Sequence, residues 1–240
     1  METTYGICNL SVIPLRKEAR HSSEMVSQLL YNETYRVLDK AQDFVLVQTL
    51  LDDYEGWIQA KQLCEITEAD FNELKGKKTY LINKAIAEYK GKLLTMGTPL
   101  YEPHPNAVEM PSEFYPELMV DYAKLLLGAP YLWGGRCAMG IDCSGLVQVC
   151  ARLSGLLLPR DASQQVKEGE LVYFLQETQP GDLAFFGEEE GHITHVGIIM
   201  GNEQIIHSSG QVRIDYLDQT GIFNKELNAH THRLQVIKRL

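Results

Sequence analysis

No apolar run in the 240-residue sequence is long enough to cross a bilayer as a helix. The most apolar windows, Val196–Met200 and Leu125–Trp133, are short or interrupted by Gly and Pro, against the ~18 residues a span requires. No membrane partner is therefore expected. The N-terminal stretch METTYGICNLSVIPLRKEARHS has neither a basic start nor the unbroken apolar core of a secretory signal, so a cytoplasmic location is expected. Positive charge is also scarce: 22 Lys plus Arg against 32 Asp plus Glu leave a net charge of −10, which repels a phosphate backbone and argues against nucleic acid as a partner. Cysteines are few, odd in number and scattered (8, 64, 137, 143 and 150), which suits a reducing compartment better than a disulfide framework. Neither C-x-x-C nor H-E-x-x-H spacing occurs, so no metal and no cofactor is expected. With 45% hydrophobic and 22% charged residues and no internal repeat, what remains is an ordinary globular chain long enough for one or two domains.

Residues 1 to about 65 carry short alternating apolar runs at Ile7–Ile13, Leu29–Val37, Phe44–Leu51 and Trp57–Leu63, the pattern of a small β-barrel. Thr67–Tyr89 has a helical pattern opened by the capping signal Thr67-Glu68-Ala69-Asp70, with Gly76 as its weak point, and Gly91–Tyr101 returns to strand. A stretch dense in proline (103, 105, 111 and 116) marks a domain boundary near residue 110, predicting domains at 1–110 and 111–240. Beyond it, helices are predicted at Glu117–Leu127 and Cys143–Leu153, with a shorter one from Asp161. Strand patterns follow at Leu183–Phe186, His192–Met200, Glu203–His207, Val212–Tyr216 and Leu234–Ile237, and Glu188–Glu190 reads as a solvated turn. Helices followed by strands predict an α+β fold.

The chemistry concentrates around Tyr131-Leu-Trp-Gly-Gly and Ile141-Asp-Cys-Ser-Gly-Leu-Val. Asp142 stands where an N-cap belongs, so Cys143 opens a helix. There the macrodipole is expected to lower the thiol pKa, and the exposed N–H groups can face an oxyanion. The competing explanation, a small buried thiol starting a core helix, holds for an arbitrary cysteine and is kept for Cys150. Gly134, Gly135, Gly140 and Gly145 are expected to open the approach to a substrate backbone.

A nucleophilic cysteine needs a base. His192 and His195 would face opposite sides of one strand, and His195 lies within the apolar run His-Val-Gly-Ile-Ile. A hairpin turning at Gly201-Asn-Glu pairs residues whose numbers sum to 404, which sets His207 opposite Gly197 and on the same face as His195. His207 is then placed to orient His195.

These residues, together with the motifs D-C-S-G-L-V, L-P-R-D, P-G-D-L-x-F-F, H-V-G-I and I-H-S, resemble the NlpC/P60 family of papain-like cell-wall peptidases from about residue 116 onward. The resemblance implies Cys143 as nucleophile, His195 as base and His207 as third polar residue. The N-terminal part more weakly resembles a bacterial SH3 barrel, through Val12-Ile-Pro-Leu-Arg, Glu24-Met-Val-Ser-Gln-Leu-Leu and Asp53-Tyr-Glu-Gly-Trp-Ile. A barrel joined to this catalytic domain is similar to the γ-D-glutamyl-L-diamino acid endopeptidases that recycle murein peptides. That resemblance implies a murein peptide with a free N-terminal L-Ala as substrate. A wall-binding or wall-remodelling protein acting on intact stem peptides is the alternative, and acyltransfer through the same thioester a minor one.

By the same resemblance, Asp161 of L-P-R-D receives the substrate amine, although Asp161-Ala-Ser-Gln is equally a capping box. Tyr54 and an acidic barrel residue, Glu18 or Glu24, would join it and close the pocket. Tyr131 and Trp133 are core packing or substrate wall, and a Tyr131 phenol could donate to the oxyanion. Asp142 and Ser144, which flank the nucleophile, complete the expected substrate contacts.

Overall fold

The computed structural model describes residues 4–189 and 191–240; Glu190, the end of the charged turn expected at 188–190, lies outside the described residues. The chain divides into two compact units. One holds the residues up to Met110 together with Trp133–Ala138, the other Pro111–Leu132 and Met139–Leu240.

In the first unit, alternation of apolar and polar residues produces seven strands of an SH3-like barrel. They are ordered Met25–Leu30, Val12–Arg16, Glu55–Gln59, Phe44–Thr49, Thr34–Ala41, Thr4–Ile7 and Glu65–Ile66. Their inward residues, among them Ile13, Leu15, Leu29, Tyr35, Val47 and Ile58, are fully buried around Cys8. The helix Glu68–Lys75 opens on the expected capping box of Thr67 and Asp70. It stops at Gly76, so the helical pattern expected to run on to Tyr89 is overturned beyond that residue. In Ile86–Tyr89 exposed and buried residues alternate strictly, a period of two that only a strand can bury. Tyr80–Ile82 pairs with Pro99–Leu100 and Ala107–Glu109, and Ile86–Tyr89 with Lys92–Thr95. The two small sheets enclose a core of Ile82, Ala87, Tyr89, Leu94 and Leu100.

In the second unit, the helix Pro116–Lys124 starts on a proline, whose missing N–H costs nothing in a first turn, and packs against the helix Cys143–Leu153. The antiparallel sheet runs Glu170–Val172, Ala229–Arg239, Leu183–Phe186, His195–Gly201, Gln204–Ser209, Gln211–Leu217 and Gly221–Asn224. The last of these also pairs with Ala229–Arg239, so six strands close into a ring. Its inner residues Ala184, Phe186, Ile199, Ile205, Leu217, Ile222 and Ile237 form one core, while the helix Cys143–Leu153 packs on the strands His195–Gly201 and Gln204–Ser209. Two strands of this sheet, Glu170–Val172 and Gly221–Asn224, carry too few apolar residues to be legible as strands. The closing strand begins at Ala229, five residues before the apolar pattern at Leu234.

Candidate active site

Cys143 is the first residue of its helix. Asp142 caps that helix, its Oδ1 accepting the Gly145 N–H at 2.7 Å. The cap is itself held: the fully buried Arg160 guanidinium reaches Asp142 Oδ2 at 2.6 Å and Oδ1 at 3.0 Å, and donates to Ser144 Oγ at 2.8 Å. Asp142 and Ser144, expected as substrate contacts, thus spend these polar atoms on fixing the start of the nucleophile helix. Arg160 was not legible as a site residue. Its position inside L-P-R-D, one residue before Asp161, is the only sequence signal it has.

The expected lowering of the thiol pKa is reversed. Burial pushes the Cys143 thiol up to about 11, the Asp142 charge adds to this, and the N–H groups of Val196 and Ser144 offset only part of it. A thiol in a nearly closed apolar setting loses more hydration on ionising than one helix start returns. The resting thiol is therefore neutral, and it can serve as a nucleophile only with a base beside it.

The hairpin takes the register its arithmetic required: Gly197 pairs with His207, Ile198 with Ile206 and Ile199 with Ile205. The turn is tighter than expected, with Asn202 and Glu203 both at positive φ, and a bulge between Ile199 and Gly201 restores the sum of 404. A Cβ on Gly197 would stand 2.7 Å from Ile205 Cδ1 and 3.0 Å from His207 Cβ, so only glycine leaves the His207 ring its place. Gly134 is explained by close packing on a neighbouring backbone and Gly140 by packing on a side chain, rather than by substrate access. A Cβ at Gly134, which has φ of 75°, would meet the Met25 carbonyl at 2.4 Å, and one at Gly140 would meet Leu132 at 2.7 Å.

His195 Nε2 lies 2.9 Å from His207 Nδ1, and His207 Nε2 lies 3.1 Å from Asp215 Oδ2. A carboxylate only accepts, so His207 Nε2–H donates to Asp215 and its Nδ1 is left as an acceptor. His195 Nε2–H must then donate to it, which leaves His195 Nδ1 as the bare lone pair. Burial and the neighbouring imidazoles of His232 and His207 hold His195 well below the ordinary histidine range, so that it stays neutral at pH 7. Burial pushes Asp215 up, but the hydrogen bonds from His207 and Arg213 outweigh it and keep the group ionised. The guanidinium of Arg213 grips the carboxylate at 2.7 Å and 3.1 Å.

His232 escaped the sequence because it lies in a strand whose pairing only the closed sheet defines, whereas Arg213 and Asp215 follow His207 through a tight hairpin at Gly210 but carry no motif of their own. The His232 ring stacks on His195, centroids 4.1 Å apart and 27° from parallel. His195, His207 and His232 bring three potential ligand nitrogens within 4.8 Å of one another. Two of the three rings are stacked, which keeps their in-plane lone pairs in nearly parallel planes about 4.1 Å apart rather than converging on one point, and His195 Nε2 and His207 Nδ1 are engaged with each other. The cluster has the form of a supported base rather than of a metal cage.

The remaining expected residues are more dispersed. Tyr131 is half-buried, and burial and the neighbouring Cys143 and Asp142 charges push its phenol up to about 12, so it stays a protonated donor beside the thiol. Asp161 is half-buried at the start of the one-turn helix Ala162–Gln165, and its N–H donates to Gln164 Oε1 at 3.4 Å, one half of a capping box. In the first unit, Trp133 is 58% exposed and therefore not core, and its Nε1 donates to Glu24 Oε1 at 2.7 Å. Glu18 is exposed and pairs with Arg20 at 2.7 Å, and Tyr54 is half-buried with its N–H on Thr49 Oγ1.

A buried thiol at a helix start, served by a histidine that a second polar side chain orients, is the arrangement of the papain-like thiol hydrolases. Residues 128–231 match the NlpC/P60 family, and residues 15–63 match the bacterial dipeptidyl-peptidase SH3 domain. The chain thus carries an NlpC/P60 domain preceded by a bacterial SH3 domain. It is 40% identical over 118 residues to the gamma-D-glutamyl-L-lysine dipeptidyl-peptidase of Bacillus subtilis, a match covering 47% of this chain and 39% of that protein. With the Bacillus cereus protein of the same name it shares 35% over 92 residues, covering 38% and 27%. The matches therefore span well under half of the length of these relatives. The fold is that of an NlpC/P60 family protein from Bacillus cereus, with a TM-score of 0.81 at 20% identity over 98% of this chain and 99% of the other.

Proposed function

We propose that the protein is a cysteine peptidase that cleaves the bond between γ-D-glutamate and the following L-diamino acid in murein peptides whose L-Ala amine is free. The observation that carries this reading is the chain of hydrogen bonds from Asp215 through His207 to His195, which leaves one basic nitrogen for a thiol at a helix start. The activity for which the Bacillus relatives are named supports the choice of bond.

In this mechanism His195 Nδ1 takes the Cys143 proton as sulfur adds to the γ-glutamyl carbonyl. Backbone N–H groups of the first helical turn, with the Tyr131 hydroxyl beside them, receive the oxyanion. The imidazolium then returns its proton to the departing amine of the diamino acid, and the thioester is hydrolysed by water that His195 deprotonates. Asp161 is the counter-charge for the L-Ala ammonium. The five unpaired thiols and the acidic net charge fit an enzyme of the cytoplasm that recycles imported wall peptides.

The test is mass spectrometry of products from L-Ala-γ-D-Glu-L-Lys and its diaminopimelate counterpart, each free and N-acetylated. Release of L-Ala-γ-D-Glu from the free peptides, loss of cleavage on acetylation and none by Cys143→Ala are expected. Equal cleavage of free and acetylated peptides would remove amine recognition and favour the alternative, action on intact stem peptides. Cell fractionation tests the location, and recovery mainly outside the inner membrane would overturn it.

A further inference from the structure

The last strand of the sheet brings to the base a ring that the mechanism above does not use. Ile222 pairs with His232, followed by a bulge, and Gly221 allows the approach: a Cβ there would meet the His232 carbonyl at 1.8 Å. The His232 ring lies face to face with His195 and edge-on to His207 and Phe186, at 5.6 Å and 6.1 Å between centroids. Thr231 Oγ1 lies 2.9 Å from its Nδ1. Phe186 tilts against His195 from the adjacent strand at 5.8 Å. His195 is thus clamped: His232 covers one face, Phe186 lies against it, and the edge carrying Nε2 is tied to His207.

We propose that His232 is a positioning residue of the thiol–imidazole pair, a neutral π surface that holds the His195 ring plane and, by walling that face from water, keeps the ring uncharged until Cys143 gives up its proton. This rests on the reading of Cys143 and His195 as nucleophile and base. At this stacking distance the ring covers the face of His195 and keeps water from it, which opposes charging of the imidazole. Burial, with the nearby His207 imidazole, pushes His232 down to about 4 against a smaller opposing effect of Asp215, so the surface is uncharged at neutral pH. The titratable and charged groups around His195 are His232 on the last strand, His207 on the hairpin, Asp215 and Arg213 behind His207, and Cys143 with Asp142 at the helix start. Of these, His232 alone stacks on the face of the base.

The test uses the full chain and separates this role from the choice of substrate. Titration of the His195 ring by NMR needs no substrate. Its midpoint should lie below the ordinary histidine range in the wild type, rise toward that range in His232→Ala, and stay depressed in His232→Phe, which keeps the burial and the stack. In parallel, His232→Ala should lower kcat on the free tripeptide by about tenfold, the cost of a base no longer held in its productive plane, with KM little changed. The acid limb of its rate profile should move up in pH, because His195 must be neutral to accept the thiol proton. His232→Phe should recover most of kcat. An unmoved His195 midpoint in His232→Ala, or a His232→Phe variant as slow as His232→Ala while equally folded, would overturn the proposal. Should the wild type cleave none of the peptides, the function proposed above fails while the NMR comparison still decides this one.

Discussion

Nε2 of His207 lies 3.1 Å from Oδ2 of Asp215, and this bond decides the state of a nitrogen on another strand. Because the carboxylate can only accept, it selects the His207 tautomer, and through it the His195 tautomer whose Nδ1 is free. Asp215→Ala should therefore lower kcat by roughly 10²-fold, the lower end of what a positioned acid–base group contributes, with little change in KM. Asp215→Asn retains an accepting oxygen and should fall less. His207→Asn should likewise exceed His207→Ala. Steady-state kinetics on one batch of folded variants checks the order, and equal losses in kcat and binding would refute an orienting role.

The Cys143 thiol, pushed up to about 11, is protonated at neutral pH in the resting protein. Its alkylation by iodoacetamide should keep rising with pH, by about tenfold per unit between pH 7 and 10, because only the thiolate reacts. A plateau reached below pH 7 would mean a preformed thiolate–imidazolium pair instead.

Arg160 and Asp142 form a buried pair with side-chain exposures of 1% and 9%. Arg160→Met strands the carboxylate, at a cost on the order of 3–5 kcal/mol, which should lower the melting of the C-terminal unit by roughly 10 °C. The exposed pair of Arg20 and Glu18 is the control, and Arg20→Met should leave melting almost unchanged. Calorimetry showing equal shifts for the two variants would contradict the role given to Arg160.

Gly197→Ala puts a methyl 2.7 Å from Ile205 Cδ1 and 3.0 Å from His207 Cβ. Overpacking of this kind costs about 1–3 kcal/mol, and here the displaced group orients the base. Thermal stability and kcat should drop together, and full activity in a destabilised variant would show that the hairpin yields elsewhere.

Both His195 and His232 titrate below their unfolded value of 6.5. The unfolded chain therefore binds more protons in this range, and stability rises with pH. The contribution is present above pH 6.5 and is lost as pH falls from 6.5 toward about 4, the folded value of His232. Melting temperature should decline across that window, and His232→Phe should flatten the decline. A slope unchanged by that substitution would place the acid sensitivity in other groups.

Much of the site could be read from residues close together in the chain. An N-cap and a three-residue offset depend only on local backbone geometry, and so Asp142 before Cys143 was legible. The facing of His207 and Gly197 was legible for the same reason, since a hairpin register follows from the length of its turn. Pairing across the closed sheet has no such local record. His232 reaches the base only after the strand Ala229–Arg239 has closed the sheet, and the helical pattern after Gly76 gave way to strands because burial of Leu81, Ala87 and Tyr89 outweighed propensity. The protonation state of Cys143 was likewise decided only in three dimensions. The helix start that favours a thiolate is visible in six residues, whereas the desolvation that opposes it comes from the strands and side chains that close over the sulfur.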